Sequence, residues 1–460
     1  MSRSLDGERA PEGIATRSAA SDVPTPTLSV FDAIMITVGI VIGAGIFQTP
    51  SLVAGIAGSP TTMLFAWVLG GVLSLVGALT YAELAATYPS AGGDYTFLTR
   101  AYGKNVSFLF AWARSAVICT GSIALLGFIL GDYLTRLYSF GEYSSAVYAT
   151  VAVVVLTVVN LIGLRSSSRV QNALTLLEIG GVLVVAIAGM TLEPSAPVAA
   201  TAASEGVGAF GLAMVFVLLT FGGWNEAAYV SAEVRGGPRA LVRTLVISIG
   251  IITIAYLIFV ASVLHGLGLE QLKASKAVGI DVMEGALGPL GGQLLGVIVA
   301  ISALTSMNST MIVGARSNYS VAQDWSALRF MGQWQGTRHA PIVGFVVQAV
   351  IALALIAFGA LEKDGFSTMV EFTAPVFWFF FMLSGIALFV LRRRDPERER
   401  PFRVPLYPVL PLIFIATCAY LLYSSITYAE SQHASYVALI VMISGAVVLL
   451  GLRLRGAKAT

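Results

Sequence analysis

Ile40-Val41-Ile42-Gly43-Ala44-Gly45-Ile46-Phe47 and Thr220-Phe221-Gly222-Gly223-Trp224-Asn225-Glu226 are two apolar stretches broken by closely spaced glycines. Inside a bilayer a backbone amide or carbonyl without a partner costs several kcal/mol, so a spanning segment normally stays helical. Each glycine weakens a helix by about 1 kcal/mol relative to alanine. Two such interruptions, one in each half of the chain, predict helices that unwind at mid-membrane. Freed backbone groups at that depth point to a solute site between the two segments.

Working outward from these stretches, the chain has 460 residues, 57% hydrophobic and 11% charged, with a mean hydropathy of +0.83. Soluble domains carry about 25% charge. Apolar runs long enough to cross a hydrocarbon core recur along the whole length. They fall near 30–57, 60–88, 105–137, 145–164, 170–191, 208–232, 242–264, 287–315, 341–361, 367–391, 405–427 and 434–454. The expectation is an all-α integral membrane protein with 12 transmembrane helices. Residues 1–27 are polar, with Pro11, Pro24 and Pro26, and read as a disordered cytosolic tail rather than a signal peptide.

Basic residues set the orientation. One set of segment ends holds Arg100, Lys104, Arg165, Arg169, Arg235, Arg239, Arg243, Arg316, Arg329, Arg338 and the Arg392–Arg403 cluster, together with the basic residues of both termini. The opposite set holds only Arg136, Lys273, Lys276 and Lys363. Both termini are therefore expected in the cytosol. The broken segments are the first and sixth spans, which divides the chain into a first five-helix repeat at 28–192 and a second at 207–391. An odd number of spans inverts the second repeat relative to the first. A Pro/Ala/Ser-rich linker runs from Glu193 to Gly206, and residues 392–460 add a basic loop and two further helices. That loop, Arg392–Arg403, reads as solvated and lipid-facing.

The net charge of +2 follows from the orientation bias and gives no hint of nucleic-acid binding. Cys119 and Cys418 lie in apolar spans, and His265, His339 and His433 are scattered at segment ends. No metal framework, cofactor motif or nucleophile–base pair stands out, so an enzyme is not expected.

Ionisable residues inside spans are costly and by default functional. Glu226 directly follows the second break, where it serves either coupling and gating or as a cap on unwound backbone. Arg114 and Glu178 lie at a matched depth of about 12–14 Å in the third and fifth spans and invite an ion pair. Such a pair is either mutual neutralisation or a fixed charge that stands in for a bound cation. Asp32 and Glu83 read as interfacial. In the eighth span Ser302, Thr305, Ser306 and Ser309 share one helical face. That stripe serves helix packing or contacts a cation or solute. The aromatic run Phe377–Phe381 reads as packing.

Taken with Tyr81-Ala82-Glu83-Leu84, Pro89-Ser90-Ala91-Gly92-Gly93-Asp94-Tyr95, Arg100-Ala101-Tyr102-Gly103, Gly222-Gly223-Trp224-Asn225, Glu233, Pro238 and Arg239, the first glycine stretch resembles the amino acid–polyamine–organocation superfamily. The chain is most similar there to bacterial amino acid permeases related to the L-type amino acid transporters. The resemblance implies a LeuT-like 5+5 inverted repeat plus two extra helices, with helices 1 and 6 unwound. It implies an amino acid α-carboxylate on the backbone amides of Gly43, Ala44 and Gly45. The α-ammonium would meet carbonyls of Val41, Leu219 and Gly222, with Ser306 and Phe221 nearby. Half-helix termini favour the same arrangement, since an N-terminus attracts an anion and a C-terminus a cation.

Three departures from the family pattern matter. Leu219 stands where relatives often carry an aromatic gate, and Ala44 where many carry serine. Glu178 stands where many carry a lysine whose ammonium mimics a sodium ion, so that mechanism does not transfer unchanged; Arg114 is then a candidate replacement charge. Coupling and gating are assigned to Glu226, Glu178, Arg114, Ser302 and Phe221.

The implied activity is secondary transport of amino acids, neutral ones first, across a bacterial cytoplasmic membrane. The mode is exchange or proton symport, with sodium in place of the proton as a third alternative. A cationic amino acid or amine, or a non-transporting sensor of the same fold, is the alternative. The loop Leu137–Ser145 lacks the cysteine by which eukaryotic relatives hold a glycoprotein, so no disulfide-linked partner is expected.

Overall fold

Apolar side chains on nearly every face leave the α-helix as the structure that satisfies the backbone within each segment, and the computed structural model is helical throughout its described spans. It describes all residues except 1–28, 91, 163–167, 195–206, 229–233, 326–341, 363, 428–431 and 455–460, with side chains further omitted at 168–171, 207, 208, 227, 316–324, 432, 434 and 435. The N-terminal tail, most of the 193–206 linker, Glu233, Arg329, Arg338 and Lys363 lie outside the described residues.

Ten helices among the described residues are long and apolar enough to cross a bilayer. Two further apolar helices are shorter, Val30–Val41 and the part of the ninth helix from Ala209 to Thr220. These two carry the glycine interruptions. The helices are α1 (Val30–Val41), α2 (Thr49–Ala57), α3 (Pro60–Thr87), α4 (Asp94–Tyr102), α5 (Lys104–Ala113), α6 (Cys119–Leu137), α7 (Ser144–Ile162) and α8 (Ser168–Thr191). The second half holds α9 (Val207–Thr220), α10 (Gly237–Ala274), α11 (Val278–Leu287), α12 (Pro289–Asp324), α13 (Ile342–Ala360), α14 (Gly365–Arg394), α15 (Val409–Thr427) and α16 (Gln432–Leu454). Valine and isoleucine side chains such as Val151, Val155, Ile187, Ile254, Ile440 and Val447 stand exposed. An apolar belt of that extent needs lipid rather than water around it. The molecule is a multi-pass membrane protein.

Each interrupted helix stops for a local reason. Ser29 caps α1 in a capping box with Asp32, which fixes the entry of the chain. At the far end α1 leaves helical form at Ile42 and Gly43, resumes as a 3₁₀ turn over Ala44–Phe47, and continues as α2. In the second half α9 ends at Thr220, three turn residues follow, and Trp224–Ala228 form another 3₁₀ turn. Gly223 takes φ +107°, a region that side-chain-bearing residues avoid. α5 and α6 join through a π-type turn at Arg114–Ile118, a local widening often found at functional sites.

One expectation about the polar ends is corrected and another is refined. Glu83 is not interfacial but fully buried in α3. Arg392 Nε and Nη2 donate to its two oxygens at 2.8 and 2.6 Å, the Val404 amide donates at 2.7 Å, and Arg400 Nε lies 3.6 Å away. Arg392 and Arg400 thus anchor the Arg392–Arg403 segment to α3, while Arg393, Arg394, Arg398 and Arg403 stay exposed. A carboxylate in a span gathers every available donor, because an unpaired buried charge costs far more than the ordering of a loop.

Candidate functional site

The breaks in α1 and α9 meet. Thr49 Oγ1 and Thr220 Oγ1 are 2.7 Å apart, joining the start of α2 to the end of α9. Tyr256 on α10 donates its hydroxyl to the Val41 carbonyl at 2.7 Å and lies 3.2 Å from the Thr220 carbonyl. One phenol thus bridges the last carbonyls of both interrupted helices, groups that a helix C-terminus leaves without an intrahelical partner. Nothing in the sequence singles out Tyr256 within its apolar span, and the sequence reading missed it.

Beside this junction lies a cavity of about 210 Å³. Of the residues expected at the site, Val41, Gly43, Gly45, Leu219, Gly222 and Ser306 line it, together with Arg114 and Glu226. Ala44 is buried and lies outside the lining. Phe221 also turns away from the cavity. Its ring packs against Trp67 and Tyr256, with centroids 6.0 and 5.0 Å away. The described position of Phe221 is thus a core position. The rest of the wall includes Ser122, Leu125 and Leu126 of α6 and Thr373 and Phe377 of α14, which no sequence pattern distinguished from packing.

Gly43 and Ser306 face each other closely. A Cβ at Gly43 would lie 3.0 Å from Ser306 Oγ. Ser306 is only 8% exposed, and its hydroxyl has no hydrogen-bond partner. A buried hydroxyl left unpaired costs about 1–3 kcal/mol, and this one stands at the cavity wall. Along the same stripe Ser309 and Thr310 also line the cavity, whereas Thr305 bonds back to the Ile301 carbonyl.

The expected Arg114–Glu178 pair does not form. Arg114 Nη2 donates to both oxygens of Glu226 at 2.9 Å. Depth along two helices fixes how far each residue lies from the membrane surface, but not which way its side chain points around the axis. Glu226 sits in the irregular turn opposite the π-type turn and reaches Arg114 first. Glu178, 2% exposed, instead accepts from Ser302 Oγ at 3.1 Å, while its Oε2 has no hydrogen-bond partner. Neither Glu178 nor Ser302 lines the cavity. Arg114, Glu226 and the two glycine breaks are thus brought together, and Glu178 with Ser302 forms a separate buried polar site.

The site therefore offers exposed main-chain groups at two helix ends, an unsatisfied hydroxyl, a largely apolar wall and one neutralised ion pair. Comparison with known proteins fits this arrangement. Residues 28–450 match the family model described as amino acid permease. The chain is similar to the serine/threonine exchanger SteT of Bacillus subtilis, 27% identical over 430 residues that cover 93% of this chain and 96% of that protein. It is also similar to the human b(0,+)-type amino acid transporter 1, 27% identical over 424 residues, 90% of this chain and 85% of the relative. The human cystine/glutamate transporter is 26% identical over 397 residues, 84% of this chain and 78% of the relative. The match to the family model spans nearly every helix described above, and the chain belongs to the amino acid permease family.

Proposed function

We propose that this protein is a secondary transporter that carries neutral amino acids across the cytoplasmic membrane of a bacterium by alternating access, with both termini in the cytosol. The observation that carries the reading is the meeting of two interrupted helices at one small, mostly uncharged cavity. The α-carboxylate sits on the amides of Gly43, Ala44 and Gly45, where a helix start concentrates partial positive charge. Ser306 adds its hydroxyl from across the cavity. The α-ammonium takes the second lone pairs of the Val41 and Leu219 carbonyls and the carbonyl of Gly222. A zwitterion answers both helix ends at once, which an anion or a sugar does not.

Glu226 is engaged by Arg114, so its charge is spent inside the protein rather than offered to a cationic side chain. This supports neutral over cationic substrates. The pair ties the second break to the π-type turn and would act as a gate that opens as the repeats rock. The pairing of α1 with the turn after α9, and of α2 with α9 through Thr49 and Thr220, supports the LeuT-like arrangement of two inverted five-helix repeats, 28–192 and 207–391, with 392–460 added. Transport runs as exchange or as proton-coupled symport, for which Glu178 is the candidate carrier.

A thermal-shift screen of the purified protein against the twenty amino acids tests the substrate class, because a ligand held only by the folded state raises the unfolding temperature. Neutral amino acids are expected to stabilise, and lysine and arginine to leave the protein unchanged. Counterflow in proteoliposomes then tests flux, and binding without counterflow would mark a sensor instead.

A further inference from the structure

A second cavity, of about 160 Å³, lies where α6 gives way to the loop before α7 and where α13 passes to α14. Its charged and amide side chains are Gln48, Asp132, Glu142, Lys276, Glu362 and Asp364, with the hydroxyls of Tyr143 and Ser145 beside them. Gln48 sits at the start of α2, directly beyond the first glycine break. It is 4% exposed, and its Oε1 has no hydrogen-bond partner. Asp132 shares the cavity lining with Ser145, Lys276 and Asp364. Glu142, Lys276 and Asp364 are exposed at the rim.

Some of these groups already have duties. Asp364 caps α14 by accepting from the amides of Phe366 and Ser367. Glu362 lies 4.0 Å from His433. Lys363, in the same short segment, is outside the described residues. Among the described residues no three acidic, histidine or cysteine side chains are close enough to hold a metal ion. What remains is a buried amide oxygen that lacks a donor, the Asp132 carboxylate in the same cavity, and the Glu142 carboxylate and Lys276 ammonium at the rim. An oxygen acceptor that shares a cavity with a carboxylate calls for a donor that carries positive charge, and a primary ammonium supplies three N–H groups.

We infer that this cavity is a second amino acid site, separate from the central one. The ammonium of the solute docks between Gln48 Oε1 and Asp132, and its carboxylate faces Lys276. The inference rests on the proposed transport of amino acids. The site stands at the start of α2, so a solute held there waits just beyond the first glycine break, which the central site uses.

Equilibrium binding of radiolabelled L-serine and L-leucine to the purified full-length protein in detergent tests it. Gly43→Val fills the central cavity. The expected result is that this variant still binds one equivalent of amino acid, and that adding Asp132→Asn or Gln48→Leu weakens the remaining binding at least tenfold. Lys276→Ala should weaken it as well, while unfolding temperatures measured in parallel stay within a few degrees of the parent. Loss of all binding in Gly43→Val overturns the second site, and amino acid bound to the parent then leaves the central reading intact. Residual binding that ignores Asp132→Asn and Gln48→Leu also overturns it. A parent protein that binds neither amino acid overturns both readings.

Discussion

Glu83 and Glu226 are both carboxylates within the helical bundle, and both face arginine, yet they are built for different purposes. Glu83 takes two hydrogen bonds from Arg392 and a third from the Val404 amide, with Arg400 alongside, and it lines neither of the two cavities described above. The surroundings reinforce it. Tyr88 donates to Asp395 at 2.8 Å, and Arg398 stacks over its ring. Burial, with Asp395 beside it, holds the Tyr88 hydroxyl up to about 12, so it stays a donor across the physiological range. Glu226 shares a single Arg114 nitrogen between its two oxygens, and both residues line the cavity. A charge held by three hydrogen bonds and a second guanidinium is a staple. One that hangs on a single donor at a cavity wall can be released when the wall moves.

The largest expected effect is at the staple. Glu83→Gln leaves the Arg392 and Arg400 guanidiniums facing one another without their anion, and breaking a buried pair in this way costs about 3–5 kcal/mol. Denaturant unfolding in detergent should show that loss, while turnover per folded molecule stays at the parental level. A fall in turnover without a fall in stability would erase the distinction drawn between the two carboxylates.

Gly43→Val is next. Its Cβ would stand 3.0 Å from Ser306 Oγ, and its methyl groups occupy the space before the amides that face the solute. Central-site affinity should fall about a hundredfold, equivalent to about 2.8 kcal/mol. The thermal midpoint should move little, because the added atoms enter a cavity.

At the gate, Glu226→Gln weakens one charge-assisted interaction and costs about 2 kcal/mol of stability. That is less than at Glu83, since the Arg114 left behind borders the cavity and can be hydrated from it. Counterflow should slow more than equilibrium binding weakens. Tyr256→Phe removes the donor that bridges Val41 and Thr220 and should cost about 1 kcal/mol, with a matching small loss of affinity read by the same binding assay.

The comparison also shows what was legible in the sequence. Helix breaks are local, so Gly43, Gly45, Gly222 and Gly223 announced them through the cost of glycine inside an apolar span. The membrane character followed in the same way from the runs of Val, Ile and Leu. Partnerships are not local. The choice of Glu226 rather than Glu178 by Arg114 depends on rotation about helix axes and on the π-type turn, which no spacing rule encodes. The same holds for Arg392 and Arg400 folding back over 300 residues of intervening chain to reach Glu83. Tyr256, Thr373 and Phe377 were invisible because a wall residue and a packing residue look alike in an apolar helix.

Glu178 sharpens the contrast from the other side, because it has neither a guanidinium nor a place on the cavity wall. Its only described donor is Ser302, and its second oxygen is unpaired. Glutamine can keep the Ser302 bond and present an amide where the unpaired oxygen stood, so Glu178→Gln should change stability by less than about 1 kcal/mol. Function divides more sharply. Counterflow driven by internal amino acid should persist at the parental rate in the variant, since the central site and the Arg114–Glu226 pair are untouched. Uptake driven by an imposed inward proton gradient should disappear, because Glu178, the one carboxylate of Glu83, Glu178 and Glu226 without a cationic partner, can no longer take up a proton. Proton-driven uptake that survives Glu178→Gln would return the coupling role to Glu226, and the released pair at the gate would then have to carry the proton as well as the motion.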